Sequence, residues 1–172
     1  LVELGSGSST KTRLLLDALR EQQTLSSYVA LDVSAAAIEG AAEALVEDYP
    51  GLSISGLVAD FDHHLHLLGG HGSRLVAFLG GTIGNFEPTP RRRFLTDIAE
   101  QLRPTDTFLL GTDLVKSPDL LIPAYDDAQG VTAAFNRNVL SVINRELDAD
   151  FDVESFEHLA IWDADNEWIE MR

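Results

Sequence analysis

Leu1-Val2-Glu3-Leu4-Gly5-Ser6-Gly7-Ser8-Ser9-Thr10-Lys11-Thr12 reads as a buried strand running into a glycine-rich turn and then a helix N-terminus. Gly5 and Gly7 let the backbone turn tightly and approach a ligand without an intervening Cβ. Ser8, Ser9 and Thr10 are placed to cap the helix that follows. A strand, a glycine turn and a helix in that order make a cradle for a nucleotide-type cofactor. A dinucleotide fingerprint requires a third glycine three residues after the second, and that position is Thr10.

Outward from this stretch, Leu14, Leu15, Leu16, Ala18 and Leu19 sit at helical spacing, in a helix ending near residues 21–24. Tyr28-Val29-Ala30-Leu31-Asp32-Val33 is an apolar run closed by an acid, and Ser34 caps an Ala-rich helix that ends before Pro50-Gly51. Residues 52–59 alternate and end in Asp60-Phe61, and residues 75–79 are a short apolar run ending in Gly80-Gly81. A helix over 88–102 puts Phe94, Leu95, Ile98, Ala99 and Leu102 on one face, and Pro104 stops it. A fifth strand is predicted at 108–113. Strands alternating with helices demand a doubly wound, mostly parallel α/β sheet, in which ligands sit beyond the carboxyl ends of the strands. Gly5, Asp32, Asp60, Gly80 and Asn85 all fall at such ends. Beyond Asp113 the rhythm changes. A turn with a short helix at 118–126, a long amphipathic helix from Val131 to Leu147 and two antiparallel strands within 151–171 predict an appended α+β, substrate-side region. The expected division is 1–115 and 116–172.

Composition narrows the chemistry. The 172 residues are 45% apolar and 23% charged, as in an ordinary globular chain. With 28 acidic against 12 basic residues the formal charge is −16, which opposes binding to nucleic acid and to anionic lipid. The absence of cysteine removes disulfides, thiolate metal sites and thiol nucleophiles. No run approaches the roughly 20 apolar residues of a membrane span, and no charged-then-apolar leader precedes the first strand, so a cytoplasmic, soluble protein is expected. The chain opens inside a strand and stops at Trp168-Ile169-Glu170-Met171-Arg172, which suggests a piece of a longer protein.

Several side chains carry candidate roles. A Glu-x-Gly-x-Gly turn suits S-adenosylmethionine, which has no phosphate to hold. Asp32 stands 27 residues after Gly5, where an acid accepts hydrogen bonds from two ribose hydroxyls; the alternative is a partner for the helix starting at Ser34. Asp60 with Phe61 can meet an adenine amine and ring, or form an ordinary strand-ending turn. In Gly80-Gly81-Thr82-Ile83-Gly84-Asn85-Phe86, Asn85 offers a donor and an acceptor to the amine and carboxylate of an amino acid, or else makes an Asx turn. Lys11 is electrostatically misplaced in a first helical turn, so an anionic partner such as a methionyl carboxylate is one reading and snorkelling into solvent the other. Glu3 serves either structure or cofactor contacts. His63, His64, His66 and His71 lack metal-ligand spacing, and Arg91-Arg92-Arg93 reads as a solvated face, so no metal site is expected.

The motifs at 1–12, 30–34, 59–61 and 78–86 together resemble the histidine Nα-methyltransferase family of ergothioneine biosynthesis, mycobacterial type, across essentially the whole chain. The resemblance implies a class I, Rossmann-like S-adenosylmethionine-dependent methyltransferase that trimethylates the α-amine of L-histidine to hercynine. It implies cofactor contacts from Gly5, Lys11, Asp32, Asp60 and Phe61 and substrate contacts from Asn85 and Tyr125, with no catalytic side chain and no metal. Composition alone gives Tyr125 only a packing role in a loop after Pro123. Family members carry segments before the first strand and after Met171 that complete the histidine pocket. The chain is therefore expected to hold most of a cofactor site and half of a substrate site. A monomer acting on a small molecule is expected. Two other readings stay open: a cofactor-binding module without catalysis, and an NAD-dependent oxidoreductase on a similar sheet.

Overall fold

The computed structural model describes residues 1–7, 9–69 and 72–172. It separates into two compact units, Leu1–Asp113 and Leu114–Arg172. The first alternates strands and helices: β1 (Val2–Leu4), α1 (Thr12–Glu21), β2 (Ser27–Asp32), α2 (Ala35–Asp48), β3 (Ser53–Val58), α3 (Phe61–His64), β4 (Leu75–Phe78), α4 (Pro88–Gln101) and β5 (Thr107–Leu110). All the strand pairs are parallel, and the sheet runs β3-β2-β1-β4-β5. This is the doubly wound sheet that the alternation of strands and helices demands, with the fifth strand ending at Leu110 rather than 113.

Side-chain alternation sorts the strands between two cores. Val2, Leu4, Leu31, Val76 and Phe78 face one side, where they meet Phe94 and Ile98 of α4. Tyr28 and Ala30 face the other, against Leu16 of α1 and Leu45 of α2. Glu3 alternates with Val2 and Leu4 and so belongs to this second side. Of the leucines predicted to line the first helix, Leu16 is buried but Leu14 is 74% exposed, because at 100° per residue a single apolar stripe cannot hold both. Gly56 on β3 makes room for α2: a Cβ there would lie 2.3 Å from Ile38 Cγ2.

At the amino ends of β4 and β5 a buried ion pair fastens the sheet. Arg74 reaches Asp106 at 2.6 Å and also donates to the carbonyls of Leu68 and Gln101, while Asp106 takes the Arg103 backbone amide. The Asp106 side chain is completely buried, and the Arg74 hydrogen bonds hold its carboxyl far below the usual carboxylate range.

The second unit contains α5 (Pro118–Tyr125), α6 (Val131–Leu147) and an antiparallel pair, β6 (Ala160–Asp163) and β7 (Trp168–Met171). Asp127 accepts from the backbone amides of Val131 and Thr132, capping α6, and these bonds lower its carboxyl to about 2. Asp163 pins the hairpin turn by accepting from the amides of Asp165 and Asn166. Two expectations need correction. The hairpin begins at Ala160, and the stretch before it is irregular around a short 3-10 turn, with Phe151 paired backbone to side chain with Asn144. Tyr125 is not in a loop but closes α5, because Pro123 sits inside that helix rather than ending it.

Candidate cofactor site at the carboxyl edge of the sheet

The loop leaving β1 is held from both sides. Gly5 and Gly7 adopt φ of 69° and 49°. A Cβ built on either meets nothing within 4 Å, so the demand for glycine there is conformational. The amides of Gly5 and Ser6 both donate to the Leu31 carbonyl, at 2.8 and 3.3 Å. Gly7 N donates to Asp32 Oδ2 at 3.0 Å, and Ser34 N donates to Asp32 Oδ1 at the same distance. Asp32 therefore starts the helix at Ser34 and also locks onto the glycine loop. One bond per oxygen leaves this half-buried carboxylate capacity for two further donors.

Beneath the loop lies a polar network. Glu3 is 4% exposed and accepts at Oε2 from the hydroxyls of Thr12 and Tyr28. Since Tyr28 spends its proton on Glu3, Ser9 Oγ donates to Tyr28, at 3.1 Å. Burial pushes the Glu3 carboxyl up against the opposing pull of the two hydroxyls, and burial with the neighbouring carboxylate pushes the Tyr28 phenol well above its ordinary value. Glu3 is thus a brace for the loop. The expected caps of α1 are corrected accordingly: its N-cap is Lys11, without a side-chain bond, so neither Ser9 nor Thr10 caps it, and Ser9 is drawn into this network instead. Ser8 lies outside the described residues.

The other expected residues fall as follows. Ala59 N donates to the Asp32 carbonyl at 2.9 Å, which sets Asp60 beside the acid of β2. The Asp60 carbonyl accepts from the amides of His63 and His64, and its own amide donates to His64 Nδ1. The Phe61 ring is committed to packing, with centroids 5.3 Å from Phe78, 5.7 Å from Phe94 and 6.2 Å from Phe86. That aromatic contact ties the end of β3 to the 80–86 loop, in which Gly80 and Gly81 have positive φ and Thr82–Asn85 form a 3-10 turn. Asn85 is exposed and makes no side-chain hydrogen bond among the described residues, so the Asx turn is not formed; Glu87 begins α4. Lys11 is exposed at the head of α1, and its charge lowers the Glu3 carboxyl slightly. Tyr125, in the second unit, is half-buried; its carbonyl accepts from His158 Nε2 at 2.7 Å, and His158 Nδ1 meets Asn136 Nδ2 at 3.0 Å. Among the described residues no group of three potential metal ligands forms; His71 lies outside them. A cavity of about 340 Å³ opens at the opposite, amino edge, lined by Leu1, Ser27, Leu75 and Thr107, and its charged residue, Arg74, is consumed by Asp106.

Sequence reasoning missed Ser6, Thr12 and Tyr28. Ser6 Oγ is buried with no hydrogen-bond partner among the described residues. An unmatched buried hydroxyl beside bare glycine backbone and a carboxylate with spare acceptor capacity fits a polar, adenosyl-type ligand.

A parallel sheet in the order β3-β2-β1-β4-β5, with a glycine loop closed on the acid of β2, is a doubly wound, Rossmann-like cofactor-binding core. A family model described as histidine-specific methyltransferase, SAM-dependent, matches residues 1–172, and the chain belongs to that family. It is 55% identical over 171 residues to a histidine N-alpha-methyltransferase of Mycolicibacterium smegmatis and 54% identical to one of Mycobacterium tuberculosis, in each case over 99% of this chain and 53% of the relative. The chain thus spans about half the length of these curated relatives. It is also 30% identical to ergothioneine biosynthesis protein 1 of Schizosaccharomyces pombe, over 96% of this chain and 22% of that protein. A crystal structure of a mycolic acid cyclopropane synthase with SAH and CTAB covers 84% of this chain and 46% of its own at 17% identity, with a TM-score of 0.48.

Proposed function

We infer that the protein, at its full length, transfers methyl groups from S-adenosylmethionine to the α-amine of L-histidine three times, yielding hercynine, the first step of ergothioneine biosynthesis. What carries the reading is the register of the glycine loop, Asp32, Asp60 and the 80–86 loop along one sheet edge, in a chain matched end to end by the family model. The cofactor, when bound, supplies an electrophilic methyl group on a sulfonium. Asp32 would use its spare acceptor positions on the ribose diol, Asp60 and the Phe61 backbone would meet the adenine, and Gly5 with Lys11 would take the methionyl end. Asn85 would grip the amino acid's own amine and carboxylate, which fixes the nitrogen presented for methylation, and Tyr125 is proposed as a substrate contact on the family resemblance alone. No side chain named here acts as a base, so the amine loses its proton to water before each transfer. The charge of −16 supports a small-molecule substrate over nucleic acid. No helix among the described residues is long and apolar enough to cross a membrane, and we place the protein in the cytoplasm as a monomer.

Full-length protein incubated with L-histidine and isotopically labelled cofactor is expected to give a trimethylated product by mass spectrometry. Labelling of a different amine with histidine untouched would overturn the substrate. Asp32→Asn, which removes one acceptor and the charge, is expected to weaken cofactor binding about 10- to 100-fold by calorimetry.

A further inference from the structure

His158 stands in the irregular stretch before β6, and both of its ring nitrogens are engaged within the second unit. Nε2 lies 2.7 Å from the Tyr125 carbonyl, and Nδ1 lies 3.0 Å from Asn136 Nδ2 on α6. A carbonyl oxygen only accepts and an amide nitrogen only donates, so the ring carries its hydrogen on Nε2 and accepts at Nδ1. With both nitrogens spent, the imidazole has none left to act as a base. Its work follows from α5. That helix has eight residues, and Pro123 inside it cannot donate to the Asp119 carbonyl one turn earlier. The last carbonyls of such a helix need outside partners: Ile122 finds the Asp126 amide, and Tyr125, the final residue, has His158.

The anchor is itself braced. Asp127 accepts from the amides of Val131 and Thr132 and so fixes the start of α6, which carries Asn136 in its second turn. Tyr125, the link over 126–130, the first turns of α6, Asn136 and His158 thus close a ring of bonds around the end of α5. We propose that His158 is a positioning residue: it holds the Tyr125 backbone and through it sets where the Tyr125 hydroxyl meets the amino-acid substrate. This rests on the reading of Tyr125 as a substrate contact.

The test is steady-state kinetics of the full-length protein and its variants. His158→Gln keeps an N–H near the place of Nε2, whereas the shorter His158→Asn does not reach it. His158→Asn should raise the KM for L-histidine about 3- to 10-fold, the range for one lost hydrogen bond, with kcat and the KM for S-adenosylmethionine changed by less than about twofold. His158→Gln should bring the L-histidine KM back to within about twofold of the parent. Tyr125→Phe should raise the same KM, and in that background His158→Asn should add less than about twofold, since its route to the substrate is already cut. Asn136→Ala, which leaves the ring unoriented, should give the same pattern at smaller size and carries the test if His158→Asn fails to fold. An unchanged L-histidine KM, a parallel rise for S-adenosylmethionine, no rescue by His158→Gln, or effects that simply add to those of Tyr125→Phe would each overturn the proposal. Tyr125→Phe with the parent KM would instead overturn the substrate contact, and a parent protein inactive on L-histidine the proposed function.

Discussion

Glu3 and Asp32 are both strand carboxylates, yet their surroundings divide their work. Glu3 has its charge consumed by Thr12 and Tyr28 inside the fold, whereas Asp32 holds only one backbone amide per oxygen and keeps acceptor capacity. Asp106 is a third case, buried against Arg74. Its folded pKa is depressed below the unfolded value of about 3.9, so its contribution to stability is complete above about pH 4 and is lost as pH falls towards the folded value. Glu3 has the opposite sign: its raised pKa favours the fold below about pH 4.3, and that contribution fades as pH rises through the folded value. Asp106→Asn is expected to flatten the acid limb of stability below about pH 4 in circular-dichroism melts. It should also lower Tm at neutral pH by on the order of 10 °C, because Arg74 is left buried without its counter-charge. An unchanged acid limb would show that the acid sensitivity originates in another carboxylate.

At the scale of elements, the close approach of α2 to β3 depends on the missing side chain at Gly56. Gly56→Ala puts a methyl against the β-branched Ile38, so the helix or the strand must yield, at a cost of about 1–3 kcal/mol. A drop in the denaturant midpoint without a change in slope would register that cost, and an unchanged midpoint would mean that α2 slides freely. The elements themselves were legible in the sequence because the strands of the first unit are short apolar runs, or in β3 an alternating one, ending at a turn residue, and Val131–Leu147 carries helical periodicity that the structure reproduces residue for residue. Legibility failed where partners are distant in the chain. Nothing periodic links Glu3, Thr12 and Tyr28, so the network stays hidden, and Ser9 reads as a cap when it is bonded to Tyr28 within it. Tyr125 was likewise misplaced, since proline within a helix is locally indistinguishable from proline after one. For the candidate site, Gly5, Asp32 and Asp60 were visible as strand-end anomalies. Ser6 was not, because an ordinary serine shows its lack of partners only in three dimensions.

For the whole molecule, the central position belongs to the shortest strand. β1 has three residues, all buried, and is paired with β2 on one side and β4 on the other, whereas β3 is an edge strand with no fully buried residue. In native-state hydrogen exchange the amides of β1 and β4 should be the slowest of the sheet and those of β3 the fastest of its strands. Protection in β3 that outlasts β1 would mean that the sheet opens from its middle. The glycine loop thus hangs from the least yielding line of the sheet, while Gly5, Gly7 and Ser9 within it have positive φ. A guest seated on that loop would rest against the part of the sheet expected to open last, so its departure would require no unzipping of the strands.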